Sequence, residues 1–404
     1  MGLRSAVRAI CAVPMADRSP PALHAYAAEV AGNRLTLLPD GPERLEALLA
    51  LIDGASRTLR VLYYIFNPDR SGTQVRDALV AARRRGVAVT LLVDGFGSDA
   101  DAEFFKPLTE EGCDFCRFSA RWGRRYLLRN HQKLVLADER TVMIGGFNVE
   151  DSYFGTVESG AWRDLGLIVD GPSAACLTGY FDSLFEWARK PNSRIRDLRR
   201  VLQQNSVTEG KLHWLFGGPT RRLSPWARAV RRDMSRARRL DLIAAYFAPG
   251  PGMLRRITSI ARHGGQARVV TAAVSDNVAT VGAARSLYWY MLKRGVQLFE
   301  YQPTKMHTKL LVIDDVVHIG SANFDMRSFF LNLEMMLRID DPGFAAAMRR
   351  FVDGEIAQSE AITRETHQER RTLMNRLQWG VSYFIVAVAD YRISRLLNFG
   401  FDGR

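Results

Sequence analysis

The same extended pattern occurs twice in this chain of 404 residues. His131-Gln132-Lys133 leads through four residues to Asp138, and Gly145-Gly146-Phe147-Asn148 follows. His307-Thr308-Lys309 leads through four residues to Asp314, and Gly320-Ser321-Ala322-Asn323 follows. Seven histidines and seven lysines are present, so roughly 0.1 HxK triplets would arise by chance. Two occur, 176 residues apart and in matching surroundings. The duplication reaches upstream. Residues 59–66 read as a buried strand, 73–85 as a helix and 87–93 as a second strand. About 180 residues later the order returns, with strand patterns at 240–247, 267–274 and 296–301 and helical patterns at 253–262 and 283–294. A repeat this long implies a duplicated α/β domain, and its β-α-β order predicts a parallel sheet.

Each motif reads as a β-hairpin, because an apolar run enters and leaves an acidic turn. Residues i and i+2 of a strand share a face, so His and Lys of each HxK point the same way. Folding about Asp138-Glu139-Arg140 returns Phe147 and Asn148 beside His131, and folding about Asp314-Asp315 returns Ala322 and Asn323 beside His307. The second turn is one residue tighter. Gly146 and Ser321 leave room there for a ligand and its oxygens.

This set suits phosphoryl transfer. A neutral imidazole attacks a phosphodiester and forms a covalent intermediate. Lysines and asparagine amides stabilise the phosphoryl oxygens, and a second imidazole serves the leaving and entering hydroxyls. One motif cannot do all of this; two facing each other can. Lysine stands at both sites in a chain with 49 Arg, and a compact ammonium is a different reagent from a planar guanidinium. The candidate catalytic set is His131, Lys133, Asp138, Asn148, His307, Lys309, Asp314 and Asn323. Each imidazole also needs its other nitrogen held. Asp164 and Glu334, each before a strand pattern (165–169 and 335–339), are assigned to His131 and His307 respectively.

The net charge of +13 favours a polyanionic partner, either an anionic membrane or nucleic acid. Arg121, Arg124, Arg125 and Arg129 lead into the first motif; Arg125 and Arg129 are candidates to hold an anionic group, and a solvated basic loop is the alternative. Cys113 and Cys116 form a lone CxxC without the second pair a structural zinc requires, and they read as reduced thiols. No apolar run reaches the ~20 residues of a spanning helix. The N-terminus, with Arg8 inside its apolar stretch, makes a poor secretory signal. Residues 189–239 read as a basic connector, with a helix starting at Ser224-Pro225. Residues 379–388, flanked by Arg376, Arg392 and Arg395, read either as an interfacial helix on a membrane or as a core-packed C-terminal helix. The expected organisation is an N-terminal segment (1–32), two similar halves (33–205 and 206–358) and an amphipathic tail (359–404).

The paired HxKxxxxD…G(G/S)xN motifs resemble the phospholipase D superfamily. Tyr63 to Phe66, Asp69 and Gly72, Arg85-Gly86-Val87, Trp162-Arg163-Asp164 with Gly171-Pro172, and residues 324–328 with Asn332 and Glu334 resemble bacterial cardiolipin synthases more narrowly. The resemblance implies a duplicated α-β-α sandwich, one active site between the halves, and no metal or other cofactor. It makes His131 the nucleophile and His307 the general acid and base. It further implies transfer of a phosphatidyl group to phosphatidylglycerol, from phosphatidylglycerol or phosphatidylethanolamine, at the bacterial cytoplasmic membrane. Hydrolysis by a phospholipase D is the alternative. A nucleic-acid phosphodiesterase is less favoured, since no nucleic-acid-binding module is recognisable.

Overall fold

The computed structural model describes residues 26–119, 128–220, 222–390 and 393. The first half builds a sheet from β1 (Ala27–Val30), β2 (Asn33–Leu38), β3 (Thr58–Tyr63), β4 (Ala88–Asp94), β5 (Asp114–Phe118), β6 (Leu134–Ala137), β7 (Thr141–Gly145) and β8 (Gly166–Asp170). The second half contributes β9 (Leu212–Gly217), β10 (Arg239–Ala244), β11 (Phe247–Ala248), β12 (Gln266–Ala272), β13 (Gln297–Tyr301), β14 (Lys309–Ile313), β15 (Val316–Gly320), β16 (Phe324–Asp325), β17 (Glu334–Asp340) and β18 (Ser359–Ile362). The first sheet runs β1-β2-β8-β7-β6-β3-β4-β5 and the second β18-β13-β12-β10-β14-β15-β17-β9, with β11 and β16 paired apart. Read from opposite ends, β2-β8-β7-β6-β3-β4-β5 matches β9-β17-β15-β14-β10-β12-β13 strand for strand. The duplication seen in the motifs therefore extends to seven of the eight strands in each sheet.

Only part of each sheet is parallel. β3, β4 and β5 run parallel, as do β10, β12 and β13, because helices cross between them. The motif hairpins β6–β7 and β14–β15 are antiparallel, as short turns require. The parallel arrangement expected of the β-α-β units and the hairpins expected at the motifs are thus both present, side by side in each sheet. Each sheet also gains an edge strand beyond the expected boundaries. β1 lies within the segment read as N-terminal, and β18, read as tail, pairs with β13 and covers its open edge.

One face of each sheet packs on the helices Cys176–Arg189 and Pro342–Ala357 in a single core that both halves share. Tyr180 and Phe216 stack across it, one from each half, with centroids 3.6 Å apart. The opposite faces have separate cores. Helices Gly41–Asp53, Arg70–Arg84 and Ala102–Glu110 cover the first sheet, and Pro225–Asp233, Pro251–Arg262 and Val278–Leu292 cover the second. The shared core fixes the two motif hairpins against each other. The helix foreseen at Ser224-Pro225 is present, although the Ser224 side chain makes no cap bond. The tail forms a helix, Leu373–Tyr383, continued by a wider turn at Phe384–Ala389, and its Trp379, Ser382 and Ala387 face inward.

Candidate active site

The register of β6 with β7 pairs Leu134 with Ile144, and that of β14 with β15 pairs Leu310 with Ile319. The entry of each hairpin, with its His and Lys, therefore lies beside the G-G/S-x-N end. Neither histidine is in a regular strand. His131 precedes β6 and His307 precedes β14, and each is fixed by backbone bonds to the opposite half. His131 N–H donates to the Leu333 carbonyl (2.9 Å), and Leu333 N–H donates to that of Arg129 (2.9 Å). His307 N–H donates to the Arg163 carbonyl (2.7 Å), and Arg163 N–H donates to that of Lys305 (2.9 Å). The same two-bond exchange joins the halves at both histidines.

This exchange corrects the assignment of the supporting carboxylates. The residue after Leu333 is Glu334, and its Oε2 lies 3.1 Å from His131 Nδ1. The residue after Arg163 is Asp164, and its Oδ2 lies 2.6 Å from His307 Nδ1. Each half thus carries the carboxylate for the other half's histidine, the reverse of the pairing read along the sequence. Chain proximity misleads here because β8 and β17 both start at the interface, where Asp164, two residues before β8, and Glu334, the first residue of β17, reach across. Holding Nδ1–H on a carboxylate leaves Nε2 as the free nitrogen of each neutral ring.

Asp138 and Asp314 are not part of this site. They occupy the turns at the far ends of the hairpins, with φ of 52° and 46°. Asp138 accepts backbone N–H groups from Ser56, Arg57 and Thr58 at 2.7–2.9 Å. Asp314 accepts those of Arg238 and Arg239 at 3.0 and 2.9 Å. They tie the hairpin turns to the starts of β3 and β10. A four-residue apolar strand separates Lys from Asp in each motif, which places them at opposite ends of the hairpin.

Gly146 and Ser321 serve the carboxylates. A Cβ on Gly146 would lie 2.5 Å from Asp164 Oδ1, so only glycine leaves space for that group. At the matching position Ser321 Oγ donates to Glu334 Oε2 (2.6 Å). Ser328 Oγ donates to Glu334 Oε1 (2.8 Å) and Asn332 lies 3.4 Å from it. Asp164 is held by Leu165 N–H (2.7 Å), and Arg44 donates to its backbone carbonyl (2.6 Å). Asn148 is occupied by the protein, accepting from Ile65 N–H (3.2 Å) and donating to the Tyr153 hydroxyl (3.0 Å). The amide oxygen of Asn323 is buried without a partner. Arg129 is half-buried, with its guanidinium 4.1 Å from the centroid of Phe96. Arg121, Arg124 and Arg125 lie outside the described residues.

Both lysines are buried. Lys133 Nζ donates to the His131 carbonyl (2.8 Å), and Lys309 Nζ reaches that of His307 and also lies 2.8 Å from His307 Nδ1, beside Asp164. Burial drives Lys133 down to about 7 and Lys309 to about 8, with nearby carboxylates opposing. Burial and then Lys133 push His131 down to about 4, against Glu334. Burial and then Lys309 push His307 down to about 3, against Asp164. Burial also raises both carboxyl groups. The lysines and histidines outweigh it, holding Asp164 and Glu334 below their ordinary range. Two imidazoles on carboxylates, beside two buried lysines, bring together at one interface a cluster of strongly perturbed titratable groups of the kind that active sites gather.

Several residues of the site have only weak sequence signals. Tyr64 packs edge-on to His131 at 5.0 Å, and Tyr246 lies 6.3 Å from His307. They are equivalent in the duplication, each just after β3 or β10. Tyr153 and Trp162 pack against His307 at 5.3 and 5.2 Å. Arg44 is fully buried, and its place with Leu48 and Ile52 on the inner face of a helix is the available clue. Asp94 at the end of β4 accepts Asn130 N–H (2.7 Å), one residue before His131, and so anchors the segment carrying it.

Comparison with known proteins places the chain in one family. A family model described as "Cardiolipin synthase, PLD-like domain" matches residues 48–185 and 230–354, one match in each half. Cardiolipin synthase A of Pseudomonas entomophila is 30% identical over 354 residues, covering 85% of this chain and 73% of that protein. Cardiolipin synthase 1 of Bacillus anthracis is 29% identical over 381 residues, covering 89% and 74%. Among solved structures, phosphatidylserine synthase of Haemophilus influenzae superposes with a TM-score of 0.70 at 13% identity, covering 90% of this chain and 94% of that one, so it shares the fold. Both halves, both motifs and most of the chain's length are thus accounted for by one group of enzymes, and this chain belongs to the cardiolipin synthase family of phospholipase D-like proteins.

Proposed function

We propose that the protein is a cardiolipin synthase-type phosphatidyltransferase acting at the surface of an anionic membrane. His131 Nε2 attacks the phosphorus of a donor phospholipid. The P–N bond forms as the P–O bond to the headgroup alcohol breaks, and His307 gives its proton to the leaving alkoxide. The neutral His307 then takes a proton from a hydroxyl of phosphatidylglycerol. That oxygen attacks phosphorus, the P–N bond breaks, and cardiolipin leaves with both imidazoles restored. Lys133, Lys309 and the free amide of Asn323 stabilise the phosphoryl oxygens. Arg129 is proposed as a headgroup contact. Burial by itself favours the neutral form of both imidazoles. An arriving phosphodiester anion offsets the lysine charges and favours return of a proton to one ring.

The observation that carries this reading is the reciprocal pairing of two histidines with two carboxylates, which frees two Nε2 atoms at one interface. Its test is an assay of purified protein with labelled phosphatidylglycerol, alone and with phosphatidylethanolamine. Cardiolipin is the expected product, and its dependence on the second lipid identifies the donor. His131→Ala and His307→Ala should each lower turnover by at least about 10⁴-fold. Phosphatidic acid as sole product would make the enzyme a hydrolase. Turnover of nucleic acid but of no lipid would overturn the proposal.

A further inference from the structure

The C-terminal helix Leu373–Tyr383 and its continuation Phe384–Ala389 carry apolar side chains on two opposite faces. The inner face is fully used. Trp379 stacks on His367 with centroids 5.4 Å apart, and Ala387 packs on Ala248 and Ala283. Gly282, on the helix Val278–Leu292, lets this face approach closely, since a Cβ there would meet Ser382 Oγ at 2.6 Å. The outer face should then be polar. Instead Leu373 is 82% exposed, Met374 71% and Leu377 65%, and Val381, Phe384 and Ile385 are all about half exposed or more. At about 100° per residue these six fall within roughly 120° of one another, on one continuous stripe.

We propose that this stripe docks the protein on an anionic phospholipid bilayer, lying in the plane of the interface. Three observations favour a bilayer as its occupant. First, no described helix is long and apolar enough to cross a membrane, and a short apolar stripe suits interfacial burial. Second, the charges beside it complement anionic lipid. Within residues 373–389 the one charged residue is Arg376, and no acidic group interrupts the stripe. Arg371 and Lys293 both lie over the Trp289 ring, at 5.2 and 4.6 Å, near the start of the helix. Third, the far end of the segment is fastened to the active site. Asp390 pairs with Arg327 at 2.9 Å, and the next residue, Ser328, donates to Glu334, the carboxylate of His131. A helix seated on the membrane thereby sets the position of the site relative to the lipid phosphates. The inference rests on the lipid-directed reading above.

The test separates docking from chemistry. Full-length protein and the double variant Leu377→Glu/Val381→Glu are floated with vesicles of phosphatidylglycerol and of phosphatidylcholine, and both are assayed on vesicles and on detergent-dispersed phosphatidylglycerol. The parent should bind the anionic vesicles selectively. The variant should lose at least tenfold in binding and in vesicle turnover while keeping its dispersed-substrate rate within about twofold. A second arm uses Leu377→Cys carrying an environment-sensitive dye, whose emission should shift to the blue on anionic vesicles. Unchanged vesicle binding by the double variant, or no dye shift, overturns the proposal. So does a variant that binds vesicles normally but turns a dimer into a monomer, since a second copy would then own the stripe. Parent protein that docks yet turns over no lipid in either form would sink the functional reading and leave the docking surface standing.

Discussion

His131 and His307 stand just before equivalent strands of equivalent sheets, yet their surroundings differ. The Glu334 that supports His131 is itself held by neutral donors: the hydroxyls of Ser321 and Ser328, with the Asn332 amide close by. The Asp164 that supports His307 has one backbone N–H, the nearby Arg44 and a shorter 2.6 Å contact to its imidazole. His307 lies among Tyr153, Trp162 and Tyr246, whereas His131 has Tyr64 beside it. Gly146 and Ser321 show how the divergence was accommodated. Where the first half uses a glycine to admit the carboxylate, the second uses a hydroxyl to bond it. A duplicated fold supplies two similar imidazoles, and unequal support lets them take unequal roles.

The largest effect that bears on this comparison comes from the carboxylates. Asp164→Asn and Glu334→Gln should each lower transfer by about 10²–10⁴-fold, since an amide can turn its oxygen or its N–H towards the ring and upset the tautomer. Their spectroscopic signatures should cross between the halves. The downfield Nδ1–H resonance of His131 should vanish in Glu334→Gln and survive in Asp164→Asn, and that of His307 should do the opposite. Loss of the His131 signal in Asp164→Asn would refute the exchange.

The crossing also marks the limit of what the sequence discloses. The duplicated strand and helix order is readable because buried strands and amphipathic helices each leave a period, and the HxK spacing reveals the hairpins and the shared end of each. The partner of each histidine is not readable. Asp164 stands 33 residues after His131 and Glu334 stands 27 after His307, and nothing local tells that each will reach across the interface. Asp138 and Asp314 misled for the opposite reason. They belong to the recurring pattern through the turn they stabilise, and recurrence alone does not separate a chemical role from an architectural one. β9 went unread within its basic connector, although all six of its residues are buried.

A smaller, graded effect should appear in proton uptake. Lys133 at about 7 and Lys309 at about 8 are partly deprotonated near pH 7.5, and burial favours the neutral form of both histidines. A bound phosphodiester monoanion favours every protonated form, so binding must take up protons, and more at pH 8 than at pH 6 if the lysines dominate. Calorimetry with dimethyl phosphate in two buffers of different ionisation enthalpy measures the number. Lys133→Met and Lys309→Met should each reduce uptake at pH 7.5, because burial lowers both lysines towards this range. Proton release on binding would contradict the assigned states, and unchanged uptake in either variant would remove that half's lysine from the phosphate site.

The smallest effect concerns the two ends of a single motif. Asp138 accepts three backbone N–H groups and the Ser56 hydroxyl, whereas Asp314 holds two N–H groups. Those three amides hold Asp138 down at about 2, against the upward push of its slight burial. Water can replace part of this bonding at an exposed turn, so Asp138→Ala should cost about 1–2 kcal/mol and Asp314→Ala about 1 kcal/mol. Both should lower the melting temperature by a few degrees and leave turnover per folded molecule within about twofold. Below about pH 4 the Asp138 difference should shrink, since protonation removes in the parent what the substitution removes in the variant. A loss of turnover near that of Glu334→Gln, with melting unchanged, would return Asp138 to the chemistry. Retained turnover with lowered stability would leave His, Lys and the opposite half's carboxylate as the working end of each motif, and the aspartate as the group that holds its turn.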